Sequence, residues 1–143
     1  MHTTQAENPR YLLDTNIISA LMKNPQGAVA HQCHAVLQEQ PTALLCTSII
    51  VQCELLFGLQ RLTHPRWQKH YQRIIESLDV LPLEENVAPH YAQLRTKLEH
   101  NGTPMNPNDL LIAAHALAMD ATLVTADAAF VRVNGLRVEN WNI

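Results

Sequence analysis

The sequence predicts an α/β fold with a parallel sheet and helices on both faces. Short apolar runs alternate with amphipathic helical stripes along the chain, which is the pattern of strand–helix–strand units. Asn, Pro and Gly pairs punctuate the changeovers, and acidic residues stand where several apolar runs stop.

Tyr11-Leu12-Leu13 reads as a buried strand ending at Asp14. Asn16 suits the N-cap of a following helix with Ile17, Ala20 and Leu21 on one side, and Asn24-Pro25 ends it. Val29, Cys33, Val36 and Leu37 recur at helical spacing. Residues 43–46 form a second apolar run, and Thr47-Ser48 supplies a cap for a helix over 49–62. After His64-Pro65, a further stripe comprises Trp67, Tyr71, Ile74 and Ile75. Residues 78–81 read as the third strand. Val87, Tyr91, Leu94 and Leu98 mark a helix closed by Asn101-Gly102. Asn106-Pro107 opens the next, with Pro at its favoured first position, and that helix runs to about Met119. Residues 122–125 are the fourth strand, ending at Ala126-Asp127, and 136–139 a weaker fifth after Gly135.

The chain has 143 residues, of which 47% are hydrophobic and 16% charged. That balance is globular, not disordered, and the length suits one core. Residues 1–9 read as a polar tail and 10–143 as a single domain. The longest apolar stretch is interrupted by His115 and falls short of the roughly 20 residues of a membrane span. The start of the chain lacks the apolar segment of a signal peptide, so a cytoplasmic location is expected. Cys33, Cys46 and Cys53 read as reduced thiols acting as small buried hydrophobes. Net charge is −3, which excludes a strongly basic, non-specific DNA binder. If four of the 13 acids are metal ligands, the other nine face 10 bases, so an RNA substrate stays open.

Four acids carry the chemistry. Asp14 and Asp127 each follow a strand, where ligand sites of open α/β sheets form; each also suits a helix cap. Glu54 shares a helix face with Ile50, Phe57, Gly58 and Arg61. It is either half of an ion pair with Arg61 or a metal ligand. Asp109 falls at the third position of its helix, where the positive dipole end favours a carboxylate. It also lies on the face of Ile112, Ala113 and Ala116, whose small side chains allow close packing into a cleft. Four carboxylates brought together repel one another, and one or two Mg²⁺ or Mn²⁺ ions would relieve that repulsion.

The segments Leu12-Leu13-Asp14-Thr15-Asn16, Glu54-Leu55-Leu56-Phe57-Gly58, Asn108-Asp109-Leu110-Leu111-Ile112-Ala113-Ala114-His115-Ala116 and Leu123-Val124-Thr125-Ala126-Asp127 resemble those of a PIN domain. The tail Gly135-Leu136-Arg137-Val138-Glu139-Asn140-Trp141 is similar to the ending of VapC toxins. The resemblance implies a three-layer PIN-like fold with strand order 3-2-1-4-5. It implies an acidic quartet of Asp14, Glu54, Asp109 and Asp127 as catalytic and metal-binding residues, with Asn16 and Thr125 supporting. It further implies metal-dependent cleavage of a specific RNA such as a transfer RNA, a VapB-type antitoxin partner and a homodimer.

Arg61 and Arg95 are candidates for phosphate contact, whereas Lys97 reads as a solvated residue. His31, Cys33 and His34 do not share one helix face, which argues against a soft-metal site. His115 reads as a satisfied core residue. A haloacid-dehalogenase-type phosphatase would need an Asp where Asn16 stands, and a receiver domain would need one near Leu81-Pro82-Leu83. The remaining alternative is a PIN-like module that binds RNA or protein without cutting.

Overall fold

The computed structural model describes residues 8–143; most of the polar tail lies outside the described residues. Five strands form one parallel sheet in the order β3-β2-β1-β4-β5. They are β1 (Arg10–Leu13), β2 (Leu44–Ser48), β3 (Asp79–Leu81), β4 (Thr122–Val124) and β5 (Val138–Glu139). Helices α1 (Thr15–Lys23) and α2 (Ala28–Glu39) connect β1 to β2. Helices α3 (Ile49–Arg61) and α4 (Pro65–Glu76) lead to β3, and α5 (Val87–His100) and α6 (Pro107–Ala118) lead to β4. A 3₁₀ turn, Ala128–Arg132, precedes β5.

The first two connections step outward from β1 in one direction, and the third steps back across it to β4. Right-handed crossovers therefore put α1–α4 on one face and α5–α6 on the other. The packing agrees: α1 rests on α2, α3 and α4, while α5 rests chiefly on α6. This is the predicted three-layer arrangement. The sheet is apolar on both sides, as a doubly covered sheet requires: Leu12, Leu13, Leu123 and Val124 are fully buried.

Four readings from the sequence need correction. Asp14, not Asn16, is the N-cap of α1; Asn16 is drawn elsewhere, as described below. The second strand extends through Thr47 and Ser48, although Ser48 caps α3 as the sequence predicts, accepting from Ile50 N at 3.1 Å. Leu37 lies on the solvent side of α2, because a helix on the outside of a layer buries a narrower stripe than its apolar residues mark. Cys53 is exposed on α3 and belongs to no core, unlike buried Cys46.

The tail returns to the central strand. Trp141 is buried, packs on Tyr11 at 5.3 Å between ring centroids and donates its indole N–H to Glu139 at 2.8 Å. None of the described helices is long and apolar enough to cross a membrane.

Helix α6 is the most deeply set helix, and Ala113, Ala114 and Ala116 are completely buried along it. Small residues allow that approach, so added volume must displace neighbours. Ala113→Leu is expected to cost about 1–3 kcal/mol of stability through overpacking, read as a lower urea midpoint at unchanged slope.

Candidate active site

The site forms at the carboxyl ends of β1 and β4, where the sheet's connections diverge. Asp14 follows β1 directly, and its N–H extends the sheet by donating to Val124 O at 2.9 Å. Its side chain is buried, 4% exposed. One oxygen accepts from Thr15 N at 2.8 Å, which caps α1. The other accepts from Thr125 Oγ1 at 2.8 Å and more weakly from Asn16 Nδ2 at 3.4 Å.

Asn16 and Thr125 form the joint between the two strand ends. Asn16 Oδ1 accepts from Ala126 N at 2.9 Å, so its side chain is committed across the sheet and not to its own helix. Thr125 Oγ1 donates to Asp14 and accepts from Asn16 Nδ2 at 3.2 Å and Asp127 N at 3.1 Å. One donor and two lone pairs are all that a hydroxyl has, so Thr125 is saturated. Asp127 caps the 3₁₀ turn by accepting from Ala129 N at 2.9 Å and is otherwise exposed.

Glu54 and Asp109 come from the two helix layers. Thr15 Oγ1 donates to Glu54 Oε1, and Asn108 Nδ2 donates to Oε2 at 3.3 Å. Asp109 and Asn106 bond reciprocally at the start of α6. The Asp109 N–H donates to Asn106 Oδ1 at 2.9 Å, and Asn106 Nδ2 donates to Asp109 Oδ2 at 2.7 Å. This is a side-chain variant of the capping box.

The ionisation of these groups records their convergence. Burial pushes the Asp14 carboxyl above its ordinary range, against the pull of its Thr125 and Thr15 hydrogen bonds. The charges of Asp109 and Glu54 push it further up. Asp109 is raised too, first by burial and then by Asp127 and Glu54, with the Asn106 bond opposing. Asp109 thus feels Asp127 and Glu54, and Asp14 feels Asp109 and Glu54.

A hard divalent ion fits the donor chemistry of this set. Every donor is oxygen, a carboxylate has free lone pairs beyond the bonds described, and the mutual repulsion is of the sign a cation removes. Among the described residues, no three His, Cys, Asp or Glu side chains are gathered tightly enough to cage an ion. Any ion held here would need water to complete its shell.

A match to the PIN domain spans residues 11–136. The chain belongs to the PIN-domain family. Within it, the chain is 35% identical over 135 residues to Ribonuclease VapC1 of Haemophilus influenzae (strain R2866), covering 92% of this chain and 97% of that protein. It is 30% identical to the tRNA(fMet)-specific endonuclease VapC of Shigella flexneri, over 93% and 98% of the two chains. Among solved structures, the fold superposes on VapBC2 from Rickettsia felis bound to a DNA fragment from its promoter. There the TM-score is 0.84 and the identity 30%, covering 92% of this chain and 98% of that one.

The candidates for phosphate contact are placed away from the carboxylates' hydrogen bonds. Arg61 makes no ion pair with Glu54; its guanidinium lies 5.2 Å from the centre of the Phe57 ring. Phe57 is 65% exposed, so Glu54 borders an apolar surface, not the core. Arg95 is held on the surface of α5 by Glu99 at 2.9 Å and by the Tyr91 hydroxyl. Thr15, Asn106 and Asn108 hold the carboxylates without having been singled out by sequence. Their only signal is that each adjoins a candidate acid or opens its helix.

His115 is completely buried on α6. Its Nδ1 shares a 2.8 Å hydrogen bond with Ser48 Oγ, the cap of α3, which ties the helix bearing Asp109 to the helix bearing Glu54. Nε2 makes no well-formed hydrogen bond, although the Pro82 carbonyl acts on the ring. Burial lowers the affinity of the ring for a proton, against weaker opposing effects of the Pro82 carbonyl and Glu84. The unfolded chain therefore takes up a proton below the ordinary value of 6.5 that the folded ring refuses, and stability falls as pH drops through that range. His115→Gln is expected to flatten this dependence between about pH 7.5 and about pH 5.5, measured as urea midpoints. An unchanged dependence would mean that His115 is protonated equally in both states.

Proposed function

We propose that this protein is a Mg²⁺- or Mn²⁺-dependent endoribonuclease, the toxin of a type II toxin–antitoxin pair acting in the cytoplasm. Its reaction is hydrolysis of phosphodiester bonds in a specific RNA, such as a transfer RNA. The observation that carries this reading is the set of hydrogen bonds that ties the segments of Asp14, Glu54, Asp109 and Asp127 together at the β1–β4 switch point, through Thr15, Asn108 and Thr125. The names of the ribonuclease relatives support it.

The four carboxylates would hold the ion. When bound, it supplies a water acidified enough to act as nucleophile and a clamp on the phosphate oxygens. The protein's own task is orientation. Thr125 and Asn16 fix Asp14, Thr15 and Asn108 fix both oxygens of Glu54, and Asn106 fixes Asp109. Such outer partners keep ligands from rotating away or taking up protons.

The relatives solved as VapBC assemblies support a VapB-type antitoxin as partner, with the toxin as a homodimer. Leu56 and Phe57 are exposed on α3 beside Glu54, an apolar surface suited to a partner segment.

Antitoxin-free protein is expected to cut total cellular RNA into discrete fragments with Mg²⁺ or Mn²⁺ and not with excess chelator. Asp14→Asn and Asp109→Asn should abolish the fragments. Asp14→Asn should leave the protein folded but with a lower melting temperature, because its amide oxygen can still cap α1 while its NH₂ faces the Thr125 and Asn16 donors. Thr15→Val, which frees one Glu54 oxygen, should reduce cleavage about 10–100-fold. Folded wild-type protein that cuts nothing would favour a binding module, and cutting in excess chelator would remove the metal from the mechanism.

A further inference from the structure

We propose that the groove between α5 and the segment following the 3₁₀ turn binds the phosphate backbone of substrate RNA flanking the scissile bond. The inference rests on the ribonuclease reading and adds where the RNA lies. A carboxylate centre repels an approaching polyanion, and the whole chain carries −3. Some other surface must supply the attraction on which RNA binding depends.

The groove has a volume of about 450 Å³ and is lined by His90, Gln93, Lys97 and Asn101 on one side and Arg132 and Asn134 on the other. Leucines of α5 and α6 floor it, and no acid lines it. The charges there are uncommitted. Among the described residues the ion pairs are Arg95–Glu99 and Arg137–Asp120, so the neighbouring cations on the same segments are neutralised while Lys97 and Arg132 are not. On α5, Arg95 turns to Glu99, whereas Lys97 faces the groove and, with Thr96 and His100, a shallow depression beside it.

Both walls belong to chain segments that lead to the carboxylates. The α5 wall continues through residues 101–106 to Asn106 and Asp109, and Arg132 ends the 3₁₀ turn that Asp127 begins. RNA that extends from the quartet along these segments would meet Lys97 and Arg132. Arg132 can bind a phosphate through two N–H groups, Lys97 acts as a point charge, and the three amides can reach phosphate or ribose hydroxyls. Such contacts strengthen binding without reading sequence.

The test is fluorescence anisotropy with a short, labelled, mixed-sequence single-stranded RNA, titrated at several KCl concentrations. All proteins carry Asp109→Asn to prevent cleavage, and urea midpoints confirm folding. Lys97→Gln with Arg132→Gln should weaken binding several-fold and equally for different sequences. It should also flatten the slope of log K against log salt by about 1.4, the loss of two single-strand phosphate contacts. The charge-preserving pair Lys97→Arg with Arg132→Lys should restore both. Lys69→Gln with Arg73→Gln, which removes two charges from α4, should change neither. Unchanged affinity and slope in the Lys97/Arg132 variant overturn the proposal and leave the groove to an acidic protein segment. Equal losses in the α4 variant also overturn it, in favour of diffuse charge. If the parent protein does not bind RNA at all, the ribonuclease reading fails first.

Discussion

The functional end of this molecule depends on keeping one buried carboxylate charged. Asp14 ends a central strand where water barely reaches it, and an ionised group in that position requires donors. It has three, from Thr15, Thr125 and Asn16. The bond from Thr15 starts α1, and the bond from Thr125 joins the end of β4 to the end of β1. Asn16 extends that joint to Ala126. Helix initiation, strand alignment and orientation of a catalytic candidate are thus performed by the same few hydrogen bonds. The Thr125 hydroxyl has no spare valence, so none of these elements can shift alone.

The strand–helix alternation was readable because each element carries a strong period and clear stops. The sheet order came from family resemblance, since periodicity does not say which strands are neighbours. The four acids stood out because carboxylates rarely sit at the ends of apolar runs or on small-residue helix faces. Their supports did not stand out. Asp14 and Asn16 are equally good caps by chemistry, and only the cross-sheet demand of Ala126 N decides between them. Glu54 was correctly placed on a face with Phe57 and Arg61, but periodicity reports which residues share a face and not what covers it. That face is open, and so is the one holding Cys53. His115 shows the same limit: a lone histidine on an apolar helix reads as core, whereas its partner Ser48 lies 67 residues away in sequence.

The net charge of −3 does not describe the site. Four acids gather at the switch point, while Lys97 on α5 and Arg132 at the end of the 3₁₀ turn are among the cations without an ion pair. Total charge therefore says little about nucleic-acid binding in a protein whose active site is itself an acidic cluster. The two signs do different work and must be kept apart, because a Lys or Arg within reach of the quartet would pair with a carboxylate and occupy the place of the ion. The structure keeps them apart with geometry: Arg61 lies over Phe57, and Arg95 is held by Glu99.

Backbone dipoles make the acidic cluster tolerable before any ion arrives. Asp14 caps α1 and Asp109 sits in the first turn of α6, where the positive helix end favours a carboxylate by about 0.3–1 kcal/mol each. Asp127 accepts a backbone N–H at the start of its own turn. Glu54 alone lies within a helix, with no free N–H groups near it, and it alone has a side-chain donor on each oxygen, Thr15 and Asn108. Both donors come from the segments that carry the other acids: Thr15 adjoins Asp14, and Asn108 adjoins Asp109. The acid without a helix end is therefore stabilised by the neighbours of the two that have one, and this holds α3 in register with β1 and α6 at the site.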